Sequence, residues 1–406
     1  MRKLLFSLLV LPIAALAQEG IHFEHAASWK EVQAKAKAEN KYIFMDAFTT
    51  WCGPCKYMSS KIFTQKDVGD FFNQKYINLK VQLDTTGADN EDVKKWYTDA
   101  HAIMTDYGVR VFPTYLFFSP DGKLVHRAVG ASEAAAFIGK ASDALDPNKQ
   151  YYTLLRQYKD GKRDPAFLRQ TAKAAAEAYD EKRMSEIGSL YLATQKDLFT
   201  KENVEFLDMF SNTTKDIGFK AILASPEKYD AVKGKGAASA KLVGIIQQEE
   251  VFPLFFKAGA ATPDWTALGN RLETQYPAVS KEVLSLSQVM YYKVKKDWGN
   301  FQTAVVAYMQ KYGSSANAMQ LNDFAWTVFE NCKDMKCLGD ALEWSKRSLE
   351  SNDPSYMDTY ANILYKLGRK NEAIEWEERA IASSNNDPEL ATTLEKMKKG
   401  EKTWKD

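Results

Sequence analysis

Tyr42-Ile43-Phe44-Met45-Asp46-Ala47-Phe48 is followed, after Thr49-Thr50, by Trp51-Cys52-Gly53-Pro54-Cys55-Lys56. The first stretch is a short apolar run of strand type, and the second places two cysteines three residues apart directly after it. A thiolate at a helix N-terminus is stabilised by unpaired backbone N–H groups and by the positive end of the helix dipole. Cys52 therefore reads as a nucleophile usable near neutral pH. Cys55, one turn further on, can close a disulfide with it. A Cys-x-x-Cys pair can also hold zinc, but that needs two further ligands, and Cys332 and Cys337 lie in a different region of the chain, so no metal site is expected. Asp46 interrupts the apolar run, where an unpaired structural role would be costly, and this favours a chemical one.

This arrangement resembles the active-site motif of thioredoxin. In that family an aspartate six residues before the first cysteine lies buried beneath the second, and Asp46 falls on that position. The family's lysine on the next strand, and an aspartate four residues after it, are matched by Lys80 and Asp84. Its cis-proline is matched by Pro113, in Val111-Phe112-Pro113-Thr114-Tyr115-Leu116-Phe117-Phe118, and a glycine near the end of the last strand by Gly130. The resemblance implies an α/β thioredoxin-like domain, with a central mixed sheet flanked by helices. It also implies roles: Cys52 attacks, Cys55 resolves the mixed disulfide, and Asp46 accepts the Cys55 proton directly or through water. Lys80 would pair with Asp46 and moderate its charge. Pro113 would hold the backbone so that Phe112 can pair with an extended substrate strand. Trp51 would cover the disulfide from one side, while Gly53 and Pro54 shape the turn between the thiols. The pattern IFTQKDVGDFFNQKY after the dithiol is closer to the C-terminal domain of membrane thiol:disulfide interchange proteins and their exported relatives than to cytosolic thioredoxin.

Upstream, MRKLLFSLLVLPIAALAQEG has two basic residues, an apolar run over 4–16 and Ala15-Leu16-Ala17 before Gln18. That order is expected of a secretory signal peptide over 1–17, cleaved after Ala17. The run is interrupted by Pro12 and is shorter than the roughly 20 residues that span a bilayer. An exported, periplasmic protein with no integral membrane span after cleavage is the expectation.

The thioredoxin-like domain is expected over 20–147. His22 and His25 read as a solvated lead, and Ser28-Trp29-Lys30-Glu31 as a capping box opening a helix to about residue 40. A strand is expected over 77–83, then one amphipathic helix over 90–107 with an aromatic stripe at helical spacing, read as core rather than as a substrate rim. Strands over 114–118 and 124–129, joined by Pro120-Asp121-Gly122, form a hairpin, and a helix over 132–145 closes the domain.

After Asp146-Pro147-Asn148 the strand signals nearly vanish. Residues 148–315 read as an α-helical domain, with caps at Ser225-Pro226 and Thr262-Pro263 and a break at Gly234-Lys235-Gly236. Over 316–390 a repeat emerges. Ala341-Leu342-Glu343-Trp344 and Asp353-Pro354 are echoed by Ala373-Ile374-Glu375-Trp376 and Asp387-Pro388, the prolines 34 apart. The second copy resembles a tetratricopeptide repeat, which implies helical hairpins presenting a surface to a protein partner. The first copy carries four extra residues, expected in its inter-helix turn, where Cys332 and Cys337 sit. These two are read as a structural disulfide, with free thiols or a second redox pair as the alternatives. Residues 391–406 read as a polar tail.

Lys plus Arg (54) balance Asp plus Glu (53), which gives no reason to expect a nucleic-acid partner. Four cysteines in an exported chain are too few for a disulfide scaffold. The resemblance implies a thiol:disulfide oxidoreductase acting on protein disulfides, and Gly-Pro between the thiols, the dipeptide of that family's reducing members, implies the reductive or interchange direction. Its only redox group would be the Cys52–Cys55 pair, supplied by a membrane or periplasmic thiol donor. The alternatives are a cell-envelope adaptor in which the helical repeats dominate, and a disulfide isomerase.

Overall fold

In the computed structural model, which describes residues 20–26, 28–256, 262–384 and 387–404, β1 (Tyr42–Phe48) is an inner strand of a four-stranded sheet. The expected signal peptide lies outside the described residues. The sheet order is β2 (Tyr76–Gln82), β1, β3 (Thr114–Phe118), β4 (Leu124–Val129). β1 runs parallel to β2 and antiparallel to β3, and β3 and β4 form the closing antiparallel pair.

Because side chains alternate along a strand, β1 feeds two cores. Ile43, Met45 and Ala47 join Leu79, Val81, Leu116 and Phe118 beneath α1 (Trp29–Glu39) and the helix Tyr97–Asp106. On the opposite face Phe44 packs with Tyr115 and Phe117 against Met58, Ile62, Phe72 and Phe137. Its ring lies 4.7–6.4 Å from seven others. The helices over this second face are α2 (Gly53–Tyr57), which continues as a π-helical turn over Met58–Ile62, then α3 (Lys66–Lys75) and, after β4, a closing helix Ala134–Leu145. Ser28 caps α1 as expected, its side chain accepting from the Glu31 N–H.

Two local expectations change. The helix expected over 90–107 is two, α4 (Glu91–Lys95) and α5 (Tyr97–Asp106), hinged at Trp96. Tertiary bonds take over there: the Trp96 indole donates to the Ala26 carbonyl, and Asp99 accepts from the Trp29 N–H. Ala100 and Ile103 are core, as the stripe predicts, and Trp96 packs against the same core while also lining, with Val93, a cleft. The lead segment with His22 and His25 is not a tail. Its backbone docks against β2 and α3, where the Glu24 N–H donates to Asn78 O and the His22 N–H to Asn73 Oδ1, while the His22 and His25 side chains are exposed as expected.

The chain divides into two compact units, 1–194 and 195–406, rather than at 148. After α6 (Ala134–Leu145) come α7 (Tyr151–Lys159), α8 (Pro165–Glu177) and α9 (Glu181–Ala193), all in the first unit. The α7 N-terminus is tied to the sheet, since the Tyr151 N–H donates to Nδ1 of the buried His126 on β4 at 3.1 Å. Burial pushes the His126 pKa down to about 4, which keeps the ring neutral and able to accept that bond. The Asp146-Pro147-Asn148 break is a turn inside the unit.

Unit 2 contains α10 (Lys201–Phe210), α11 (Ile217–Ala224), α12 (Pro226–Lys233), α13 (Ala237–Ile246), α14 (Phe252–Phe256), α15 (Trp265–Gln275), α16 (Ser280–Lys295) and α17 (Trp298–Tyr312). Asp264, not Thr262, caps α15, and its carboxylate accepts from two backbone N–H groups. Then follow α18 (Ala318–Asn331), α19 (Met335–Ser348), α20 (Pro354–Lys366), α21 (Lys370–Ser383) and α22 (Pro388–Lys399). α18 packs on α19, and α20 on α21. Both pairs are joined by three-residue turns, so the extra residues of the first pair are not in its turn. They lengthen the helices, mainly at the start of α19. The expected polar tail is helix α22, whose Met397 is fully buried, followed by Trp404 against the same core.

A fragment ending at residue 147 is expected to be less stable than one ending at 194 by several kcal/mol. It loses the burial of Tyr151, Leu154 and Tyr158, each contributing about 1.5–3 kcal/mol, and the bond to His126. Urea denaturation of the two fragments measures the difference.

Candidate active site

The chain leaving β1 turns at once, and this turn carries the cysteines. The Cys52 N–H donates to Thr49 O, and Thr50 is held by Asp84, whose carboxylate accepts from both the Thr50 N–H (3.0 Å) and its hydroxyl (2.5 Å). Cys52 is the N-cap of α2, with extended backbone and its Sγ accepting from the Cys55 N–H at 3.1 Å. Pro54 occupies the first turn of α2, where a missing N–H costs nothing. Cys52 and Cys55 are joined as a disulfide with Cα atoms 5.3 Å apart. Both residues are only 3% exposed, so the pair is nearly covered.

Trp51, 68% exposed, stands edge-on to Phe112 with ring centroids 5.7 Å apart. The Phe112–Pro113 peptide is cis, and the Pro113 carbonyl accepts from the Gly130 N–H at 3.0 Å. Gly130 has φ +85°, a conformation that favours glycine.

Asp46 lies on the β1 face shared with Phe44 and is 1% exposed, and neither carboxylate oxygen has a hydrogen-bond partner. Desolvation raises its pKa from 3.8 to about 7, with the Lys80 charge opposing the rise. A carboxyl that titrates near 7 can take a proton from a thiol of ordinary pKa, about 8.5, at small cost. Lys80 is its register partner on β2, but the expected ion pair is not formed. The ammonium instead donates to Ser59 Oγ at 2.5 Å and lies 4.6 Å from the centre of the Phe48 ring. On the other flank Tyr115 of β3 is buried, and burial together with the Asp46 charge pushes its phenol pKa up. No group of three or more potential metal ligands occurs among the described residues.

Cys332 and Cys337 are brought together as free, buried thiols, not as the expected disulfide. Cys332 caps the end of α18, its Sγ accepting from the Asp334 N–H at 3.3 Å, while Cys337 sits in the first turn of α19. Burial, then its neighbour Cys332, pushes the Cys337 thiol pKa up, which favours the inert protonated form.

Two residues of the site were not found from sequence. Thr50 had a weak signal, a hydroxyl residue in the turn immediately before the motif. Ser59 had none, since only the packing of the π-helical turn over β2 puts it against Lys80.

Residues 29–144 match the thioredoxin-like domain. Thioredoxin H-type 2 of Nicotiana tabacum is 28% identical over 120 residues, 29% of this chain and 86% of that protein. Thioredoxin H-type of Chlamydomonas reinhardtii is 31% identical over 113 residues, 28% of this chain and 84% of the relative. Among solved structures, a Bacteroides thetaiotaomicron chain proposed to be a disulphide-isomerase is 35% identical, covering 32% of this chain and 95% of that one, with a TM-score of 0.26. The chain belongs to the thioredoxin-like family. Within it, the protein is a thiol-disulfide oxidoreductase.

The Asp46 shift sets a stability test. Between about pH 4 and 7 the native state keeps a proton that the unfolded chain has released, so Asp46 lowers stability progressively as pH rises through that window. At 1.36 kcal/mol per pH unit the full cost is on the order of 4 kcal/mol. Asp46→Asn is expected to be more stable than wild type by about 2–4 kcal/mol at pH 8 and nearly equal to it at pH 4, as read by guanidinium denaturation at both.

Proposed function

We propose that the protein is an exported thiol:disulfide oxidoreductase that reduces or interchanges protein disulfides. The observation that carries the reading is the disulfide at the start of α2 together with a buried, unpartnered carboxyl on the sheet face that this helix covers. In the reduced enzyme the Cys52 thiolate attacks a substrate disulfide. A new S–S bond forms to the nearer substrate sulfur, and the farther one leaves as a thiolate. Asp46 then takes the Cys55 proton, and Cys55 attacks Cys52, releasing the second substrate thiolate. Two electrons pass from the enzyme to the substrate, and the enzyme ends in the disulfide form described above. Phe112 offers its backbone to an extended substrate strand beside Pro113, and Trp51 covers the adjoining surface.

The electrons return from a membrane or periplasmic thiol donor through the same dithiol, with no other cofactor. Export rests on the leader sequence over 1–17, and among the described residues no helix is long and apolar enough to cross a membrane. The paired helices α18–α19 and α20–α21, of tetratricopeptide-like sequence, recruit a protein partner.

Cys52→Ser is expected to abolish reduction of a model protein disulfide, and Cys55→Ser to accumulate a mixed disulfide at Cys52 detectable by mass spectrometry. Equal activity of Cys52→Ser and wild type would sink the reading. The reduction potential is expected near the roughly −270 mV of thioredoxin, and a value near the roughly −120 mV of a strong oxidant would reverse the direction of electron flow.

A further inference from the structure

Lys80 has three places to put its charge. Its register partner on the parallel neighbour strand, about 4.8 Å away, is Asp46, whose oxygens are unsatisfied. Its outer side lines a cleft of about 500 Å³ along the β2 edge, together with Glu24, His25, Asp92 and Trp96. The third place is Ser59 Oγ, on the π-helical continuation of the dithiol helix, and that is where the ammonium sits. The cleft acids do not compete for it, because Glu24 is paired with Lys35 and Asp92 with Lys95.

We propose that Ser59 is a positioning residue. By accepting the Lys80 ammonium it holds that charge off the Asp46 carboxyl, and so keeps Asp46 a base of useful strength for the Cys55 proton. This rests on the reading of Asp46 as the proton acceptor. An ammonium in direct contact would hold the carboxylate ionised and make it a poor base, whereas one held nearby tempers the cost of burial without removing basicity. The other groups around Asp46 leave the carboxyl free to respond. Tyr115 on β3 has its phenol proton held in place by burial, and the Cys52–Cys55 disulfide has no proton to exchange.

The test compares Ser59→Val with Ser59→Thr, side chains of similar shape that differ in the hydroxyl. The Asp46 carboxyl is titrated by ¹³C NMR in the full-length protein with the disulfide intact, so no turnover is involved. Wild type and Ser59→Thr are expected to titrate together. Ser59→Val is expected to titrate lower by at least about one pH unit as the ammonium turns to the carboxylate, and adding Lys80→Met should remove that downward shift. A Ser59→Val midpoint equal to or above wild type, or a Ser59→Thr midpoint as low as that of Ser59→Val, would overturn the proposal. The pH profile of disulfide reduction should move with the NMR midpoint. If the midpoint moves as expected while Asp46→Asn resolves mixed disulfides at the wild-type rate, it is the reading of Asp46 as the acceptor that fails, and with it any part for Ser59 in catalysis.

Discussion

Burial of β1 on both of its faces is the constraint on which the first unit depends. An inner strand must supply apolar side chains upward and downward at once, and Ile43, Met45 and Ala47 against Phe44 do so. Asp46 is the exception on the Phe44 face. Water cannot solvate it there and no donor reaches it, so burial raises its pKa to about 7 and the neutral and ionised forms lie close in free energy near neutral pH. The same burial that builds the fold therefore prepares an acid–base group beneath the helix that carries the cysteines.

The turn above this strand is fixed by bonds that converge from distant parts of the sequence. Asp84, beyond β2, holds Thr50, and Gly130, after β4, holds the Pro113 carbonyl. Lys80 reaches up from β2 to Ser59 on the helix itself. The turn that carries the disulfide is thus framed by residues on or beyond the ends of several strands. Exposure is concentrated on Trp51, whereas the cysteines are nearly covered, so a substrate must present its disulfide closely to reach them.

In the second unit the cysteines take a different course. Cys332 and Cys337 lie in an apolar cluster with Phe329 and Leu338, where a thiol behaves as a small hydrophobe and burial opposes its ionisation. The residues that break the repeat lie at the helix ends flanking the turn, which is three residues long in both pairs. Trp404 and Met397 complete the same cluster, which makes helix α22 part of the unit.

The dithiol, the strand before it, the closing hairpin and the helical character of the remainder were all legible in the sequence, because each is set by local periodicity or by residue types at short spacing. Pro113 was legible through resemblance, and Asp46 both through resemblance and through its interruption of an apolar run. What only the tertiary structure decided is where long side chains and chain ends go. The Lys80 ammonium had several acceptors within reach, and the packing of the π-helical turn chose Ser59. Trp96 broke a helix that periodicity had made continuous, because its indole found the Ala26 carbonyl. Helix α7 belongs with the sheet, because a neutral, buried His126 on β4 accepts the Tyr151 N–H at its start. Spacing along a chain encodes local conformation, whereas the partner of a flexible or buried polar group is chosen by competition among acceptors that only folding brings within hydrogen-bond distance.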